Sequence, residues 1–189
     1  DFVFLTTGKI KVRLDKKTSL LKVTNLATNT VVVEELEAPL FEKGKVTLTL
    51  KENPQEYFYG GSVQNGRCSH KGKVISIENQ NSWTDGGVAS PTPYYWSTNG
   101  YGMMWYTFKK GKYDFGASEE GKVKLSHESD YLDVFYMVND GAVALLNDFY
   151  QLTGNPVLLP KFGFYQGHLH YYIEQSPDEL ALINYTSGT

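Results

Sequence analysis

Cysteine is almost missing from this chain. Cys68 stands alone, so no internal disulfide can form, and a lone thiol makes no zinc site without help from histidine and carboxylates. Redox compartment is therefore open between secreted, periplasmic and cytoplasmic. The first seven residues have neither the charged start nor the apolar stretch of a signal peptide. No apolar run approaches the roughly 20 residues that cross a bilayer as a helix, so no membrane partner is expected. An excess of positive charge is also lacking: 18 Lys and Arg against 21 Asp and Glu leave a net charge of -3. That balance supplies neither the basic field of a nucleic-acid binder nor a polybasic run for anionic lipid, and nucleic acid is set aside too. Internal repeats and low-complexity tracts are absent.

What the chain does have is length for one domain, 189 residues, and aromatic side chains in number, 14 Tyr and 10 Phe, which suit strands better than helices. Short runs of period-two or β-branched character recur at residues 9–14, 20–24, 30–35 and 45–50. Turn residues separate them at 15–17, 25–29 and 42–44, the pattern of an antiparallel meander with one wet face. Further strands are expected at 73–78, 94–97, 102–108, 111–115, 122–127 and 132–138. So many short strands predict an all-β fold, mainly an antiparallel β-sandwich. One segment departs from it. Over residues 141–152, Ala142, Leu145, Leu146 and Phe149 are spaced for one helical face. Asp140 is placed to cap the start and Gly154 to end it, so one short helix is expected near the C-terminal end.

From Tyr57 onwards the order of features is specific. Tyr59-Gly60-Gly61 is followed by Gln64-Asn65-Gly66-Arg67 and Ser69-His70-Lys71-Gly72, then by Ile77-Glu78-Asn79 and the loop 83–93. Next come Tyr94-Tyr95-Trp96-Ser97-Thr98-Asn99-Gly100-Tyr101-Gly102 and Tyr113-Asp114-Phe115-Gly116. Last are Leu152-Thr153-Gly154-Asn155-Pro156 and Leu159-Pro160-Lys161-Phe162-Gly163-Phe164. This succession, over roughly residues 57–169, resembles the N-terminal domain of glycoside hydrolase family 31, the α-glucosidase and α-galactosidase family. The resemblance implies a galactose-mutarotase-like sandwich over residues 1–138. Residues 139–169 would then be a linker helix and the start of a (β/α)8 barrel. The two carboxylates of the family's retaining mechanism, typically about 5 Å apart, belong to that barrel. Such a barrel needs about 250 residues. The expectation is therefore a domain with no catalytic residue of its own, whose parent acts on α-glucosides, α-galactosides or α-N-acetylgalactosaminides.

In that family the loop 79–93 helps to shape the substrate pocket. Here it holds Asn81, Trp83 and Asp85, which together offer an aromatic face and a carboxylate to a sugar ring. They are the expected substrate contacts. Equally open is that Trp83 packs beneath its loop and Asp85 caps the turn at Gly86-Gly87. Arg67 and His70 read as structural, and Tyr94, Trp96, Trp105 and Tyr106 as core or pleat. His127 reads as a solvated imidazole at a strand end, and Asp114, Asp130, Asp133 and Asp148 as solvated carboxylates. His168, His170 and Glu174 lack a fourth ligand, so no metal is expected, and no cofactor.

Residues 170–189 form an atypical tail. The stretch 176–189 resembles the approach to the phosphate loop of acyl-adenylate-forming ligases but stops before its lysine, so ATP binding is not expected. A fusion of unrelated pieces, chance similarity and a divergent barrel start are three ways to arrive at it. Residues 180–185 are apolar enough to need burial, against an edge of the sandwich or against another chain, and the second predicts self-association through the tail. Carbohydrate, bound weakly or only together with a barrel, is the expected partner; the alternative reading is a stand-alone carbohydrate-binding module.

Overall fold

Alternation of apolar and polar side chains writes the core directly. In β5 (Lys45–Lys51) Val46, Leu48 and Leu50 are buried, and in β13 (Lys122–His127) so are Val123, Leu125 and His127. Their register pairs Leu48 with Leu125, Leu125 with Tyr113 of β12 (Gly111–Phe115), and Tyr113 with Ile75 of β8 (Lys73–Ile77). One inward row thus runs across four strands. Each such fully buried aliphatic side chain contributes about 1.5–3 kcal/mol.

The computed structural model describes residues 1–80, 82 and 84–158. Asn81, Trp83, the apparent strand at 161–165, the His168, His170 and Glu174 trio and the tail with its expected self-association lie outside the described residues. Before β5 come β1 (Phe2–Thr6), β2 (Ile10–Asp15), β3 (Leu21–Asn25) and the long β4 (Thr30–Glu42). The large antiparallel sheet runs β1-β2-β3-β4-β5-β13-β12-β8. Against it stands a second sheet of β6 (Phe58–Gly60), β10 (Tyr94–Ser97), β11 (Tyr101–Trp105) and β14 (Val134–Val138), in the order β14-β11-β10-β6. Inward residues of this sheet, Phe58, Tyr95, Tyr101, Met103 and Trp105, join those of the large sheet in one core cluster, the section of a β-sandwich. A two-stranded ribbon pairs β7 (Val63–Gln64) with β9 (Val88–Ala89).

Edge strand β1, too short and too exposed to show a pattern, carries Phe2 and Phe4 under Arg13 and Lys11 of β2, at 4.7 and 4.6 Å. The helix α1 (Ala142–Thr153) lies on the outer face of the small sheet. Tyr94 stacks on Phe149 at 4.3 Å and its hydroxyl donates to the Leu145 carbonyl at 3.2 Å. Two expectations are corrected here. The N-cap is Gly141, with no side-chain cap bond; Asp140 is held instead by its own N–H donating to Asn139 Oδ1. Leu146 is exposed, because the buried stripe on α1 follows Leu145 and Phe149 and Leu146 sits at its margin.

Joining the two sheets requires the chain to cross from β5 to β6 through residues 52–57. Glu52 and Glu56 are both buried there. Lys71 Nζ gathers the crossing: it pairs with Glu52 Oε1 at 2.9 Å and donates to the carbonyls of Pro54 at 2.9 Å and Glu56 at 2.8 Å. Glu56 accepts from the Ser97 hydroxyl of β10 at 2.5 Å and from the Asn53 N–H at 3.0 Å. Burial pushes the Glu56 carboxyl upward in pKa, against those bonds. Replacing Lys71→Met leaves the buried Glu52 carboxylate and the half-buried Glu56 carbonyl unpartnered, so urea unfolding should show a loss of about 2–4 kcal/mol, partly recovered by Glu52→Gln on the same background.

Glu35 is a second buried carboxylate, accepting the Leu21 N–H at 2.7 Å, and burial raises it above the ordinary 4.5. A folded-state value above the unfolded one means protonation favours the fold: the contribution is fully present below the ordinary value and lost as pH rises through the folded one. Glu35→Gln keeps an acceptor for Leu21 without the charge. It should therefore be more stable than the parent at pH 8, by on the order of 1 kcal/mol, with the gap closing towards pH 4. Paired urea titrations at the two pH values check this; a gap that does not change with pH would refute it.

Candidate functional site

The segment 57–72 works mostly through its backbone. At Gly60, φ is +117° and a β-carbon would stand 2.7 Å from the Tyr94 carbonyl oxygen, so only glycine lets the chain lie so close to β10. His70, buried, places Nε2 2.8 Å from the Gly60 carbonyl and lays its ring near Phe115. Burial lowers its pKa, and its Nδ1 meets no partner, as fits a neutral ring. Arg67 sends Nη1 to the Val74 carbonyl at 2.6 Å. Both residues are structural, as the sequence suggests.

Beyond β8 the chain forms an arm that returns through β9. Asn65 grips it three times: its N–H donates to the Gly87 carbonyl at 3.0 Å, its carbonyl accepts the Gly86 N–H at 2.9 Å, and its Nδ2 donates to the Ser82 carbonyl at 2.8 Å. Within the arm, Ser82 N–H reaches the Val88 carbonyl and Gly87 N–H the Thr84 carbonyl. The N–H groups of Gly86 and Gly87 therefore have backbone acceptors, and the idea that Asp85 caps that turn is corrected. Asp85 is exposed and leans the other way, over Gly66. Of the three expected contacts, only Asp85 lies among the described residues. The anchoring residues Asn65 and Gly66 escape a search for sugar contacts; an Asn-Gly pair is a turn signal, and that is the trace they leave in the sequence.

Beside the arm, a groove of ≈ 470 Å³ crosses β8, β12 and β13, with Arg67 and Gly86 on one rim and Ser76, Lys112 and Glu128 along it. His127 lies at its floor, and here the expectation of a solvated imidazole fails. It is 1% exposed, with Nδ1 2.9 Å from the Lys109 carbonyl and Nε2 2.9 Å from the Tyr113 hydroxyl, and its ring packs on Trp105 at 4.7 Å. Burial lowers its pKa. The space is made by Gly111, directly opposite in the ladder.

Asp114 is likewise buried, not solvated. It accepts the N–H of Ala117 at 2.8 Å and so closes the turn after β12. Asp130 accepts the Gly44 N–H at 3.1 Å, and Asp148 accepts from Asn139 Nδ2 at 3.1 Å. Trp105 and Tyr94 are core, and Trp96 stacks on Tyr59 at 4.5 Å. Among the described residues no group of three or more His, Cys, Asp or Glu is placed to hold a metal, and no helix is long and apolar enough to cross a membrane.

The family model of the glycosyl hydrolase 31 N-terminal galactose mutarotase-like domain matches residues 1–114, taking in the first strands, which carry no distinctive motif. An alpha-xylosidase of Emericella nidulans is 26% identical over 110 residues, 58% of this chain and 14% of that protein. A family 31 dextranase of Flavobacterium johnsoniae, complexed with isomaltotriose, superposes with a TM-score of 0.74 at 16% identity, over 85% of this chain and 20% of that one. The cycloalternan-forming enzyme of Listeria monocytogenes, in complex with a pentasaccharide substrate, gives 0.77 at 18%, over 87% and 17%. These identities show a shared fold, and the chain spans a fifth or less of the length of each relative. None of these relatives is an adenylate-forming ligase, so the second resemblance, over 176–189, has no support from them.

At Gly111 a β-carbon would stand 2.5 Å from the His127 ring and 2.6 Å from the Ser126 carbonyl oxygen. Gly111→Ala should accordingly cost about 1–3 kcal/mol in a thermal or urea melt, through overpacking. An alanine variant as stable as the parent would show that the imidazole has room to move.

Proposed function

Because the chain belongs to the glycoside hydrolase family 31 N-terminal galactose-mutarotase-like domains, we propose that it is the non-catalytic N-terminal domain of a retaining α-glycosidase. In this role it supports a catalytic barrel and lends the arm 79–93 to the substrate pocket. α-Glucosides, α-galactosides and α-N-acetylgalactosaminides are the substrates the resemblance brings, and the relatives add α-xylosides and α-glucans. The observation that carries the reading is the arm itself. It is bonded to the sandwich through backbone groups, yet it holds the Asp85 carboxylate out in solvent. A carboxylate so placed accepts hydrogen bonds from sugar hydroxyls, and such charge-assisted bonds are worth about 1.5–3 kcal/mol each.

A second reading, a stand-alone carbohydrate-binding module, draws on the groove between the arm and β12, whose ≈ 470 Å³ has room for a monosaccharide.

Calorimetric titration of the chain with methyl α-glucoside, α-galactoside and α-xyloside separates the readings, with nitrophenyl α-glycosides assayed in parallel. Weak binding that Asp85→Asn abolishes supports the arm, whereas binding that survives Asp85→Asn and falls with Lys112→Ala supports the groove. No binding of any of the three leaves support of a barrel as the role. Turnover of a nitrophenyl glycoside by this chain would overturn the non-catalytic assignment.

A further inference from the structure

An exposed aspartate on a turn ordinarily samples several rotamers, and holding one of them for a ligand carries an entropic cost. Asp85 is exposed, and its carboxylate lies over Gly66. Its Oδ1 lies 1.7 Å from where a β-carbon of residue 66 would stand, and its Cγ 2.9 Å from the same point. The carboxylate thus occupies the place of the side chain that Gly66 lacks. Gly66 has φ of +70°, so two independent demands, backbone and space, fall on this one position.

The neighbours of Gly66 fix the arm on both sides of Asp85. Asn65 binds Ser82, Gly86 and Gly87 with its three bonds. Arg67, tied to the Val74 carbonyl on β8, sets Nη2 3.2 Å from the point where a β-carbon of Gly86 would be. Its guanidinium supports the arm without pairing with Asp85: among the described residues the ion pairs join Asp1, Glu34, Glu37, Glu52, Glu78, Glu119 and Glu128 to lysines, and Asp85 is in none of them. The carboxylate rests in space that residue 66 leaves open, on an arm fastened through its backbone, and it is in no ion pair among the described residues.

We propose that Asn65 and Gly66 are positioning residues that pre-set the Asp85 carboxylate for a neutral ligand with adjacent hydroxyl groups. This rests on the sugar-pocket reading of the arm and adds to it both the supporting pair and the ligand class. A carboxylate in no ion pair offers two acceptor oxygens to a vicinal diol and repels an acidic sugar. Because the shaping is done before the ligand arrives, Asn65 and Gly66 act without touching it.

The test uses the whole chain with Gly66→Ala, Asn65→Ala and Asp85→Asn. Gly72→Ala serves as the control, because Gly72 shares the positive φ, at +67°, but a β-carbon there meets nothing within 4 Å. The first readout is local: the carbon-13 resonance of the Asp85 carboxyl, and amide exchange at Ser82, Gly86 and Gly87. Gly66→Ala should move that resonance, and Asn65→Ala should speed exchange by about tenfold or more, while Gly72→Ala, at a similar loss of stability, should do neither. An Asp85 resonance unmoved by Gly66→Ala overturns the positioning role.

The second readout is titration with methyl α-glucoside and with its uronic acid. Gly66→Ala and Asn65→Ala should each weaken glucoside binding by about fivefold, and neither should weaken it further once Asp85→Asn is present. Tighter binding of the uronic acid than of the glucoside overturns the ligand class. If the local signals respond as expected and neither glycoside binds, the positioning stands and the pocket reading of the arm fails.

Discussion

Two sheets facing one another can share a core only if the chain passes between them without leaving polar backbone stranded, and here one ammonium group gathers the carbonyl side of that crossing. Lys71 collects a buried carboxylate and two carbonyl oxygens from the crossing at 52–57. The carboxylate of Glu56, at the far end of the crossing, takes the hydroxyl of Ser97 from the opposite sheet. This knot lies where the chain enters β6, which the ladder then pairs with β10. Charges with so many partners are costly to bury and costlier to separate, which makes the knot a specifier of one arrangement more than a source of net stability. Lys71 comes from the same short segment that supplies Asn65, Gly66 and Arg67, so the joint between the sheets and the anchorage of the arm are built from one stretch of chain.

Four buried titratable side chains work in opposite directions as the medium is acidified. His70 and His127, with pKa values lowered by burial, favour the fold while neutral, and that favour fades as pH falls below the ordinary imidazole value of 6.5. Glu35 and Glu56, raised by burial, gain from protonation over the range above 4.5. The two contributions oppose one another in mildly acidic solution.

The strands were legible wherever one face is wet and the other dry, as in β5 and β13, because period two then appears in the residues themselves. β1 was not, since as an exposed edge strand it carries no contrast between faces. Nor were β6, β7 and β9, which are two or three residues long and exist only because a neighbour supplies their ladder. For the proposed site, the order of motifs marks the loop and its aspartate as candidates. What fastens the loop leaves no such mark, since Asn65 acts chiefly through backbone groups and Gly66 through a missing atom. His127 misled for a related reason: it sits at a strand end in the sequence, yet the glycine that shelters it is 16 residues away and meets it only through the register of β12 and β13.

The arm is fastened at Gly86, Gly87, Val88 and the carbonyl of Ser82, by groups that nearly every amino acid possesses or that glycine alone satisfies. None of these fastenings uses the side chain of Asp85. On the proposed reading, attachment and chemistry fall to different atoms of the same arm. Mutation is free to rewrite the tip while the stem keeps its address, so divergence among related domains should concentrate at the tip and leave the Asn-Gly anchor and the glycines of the stem in place.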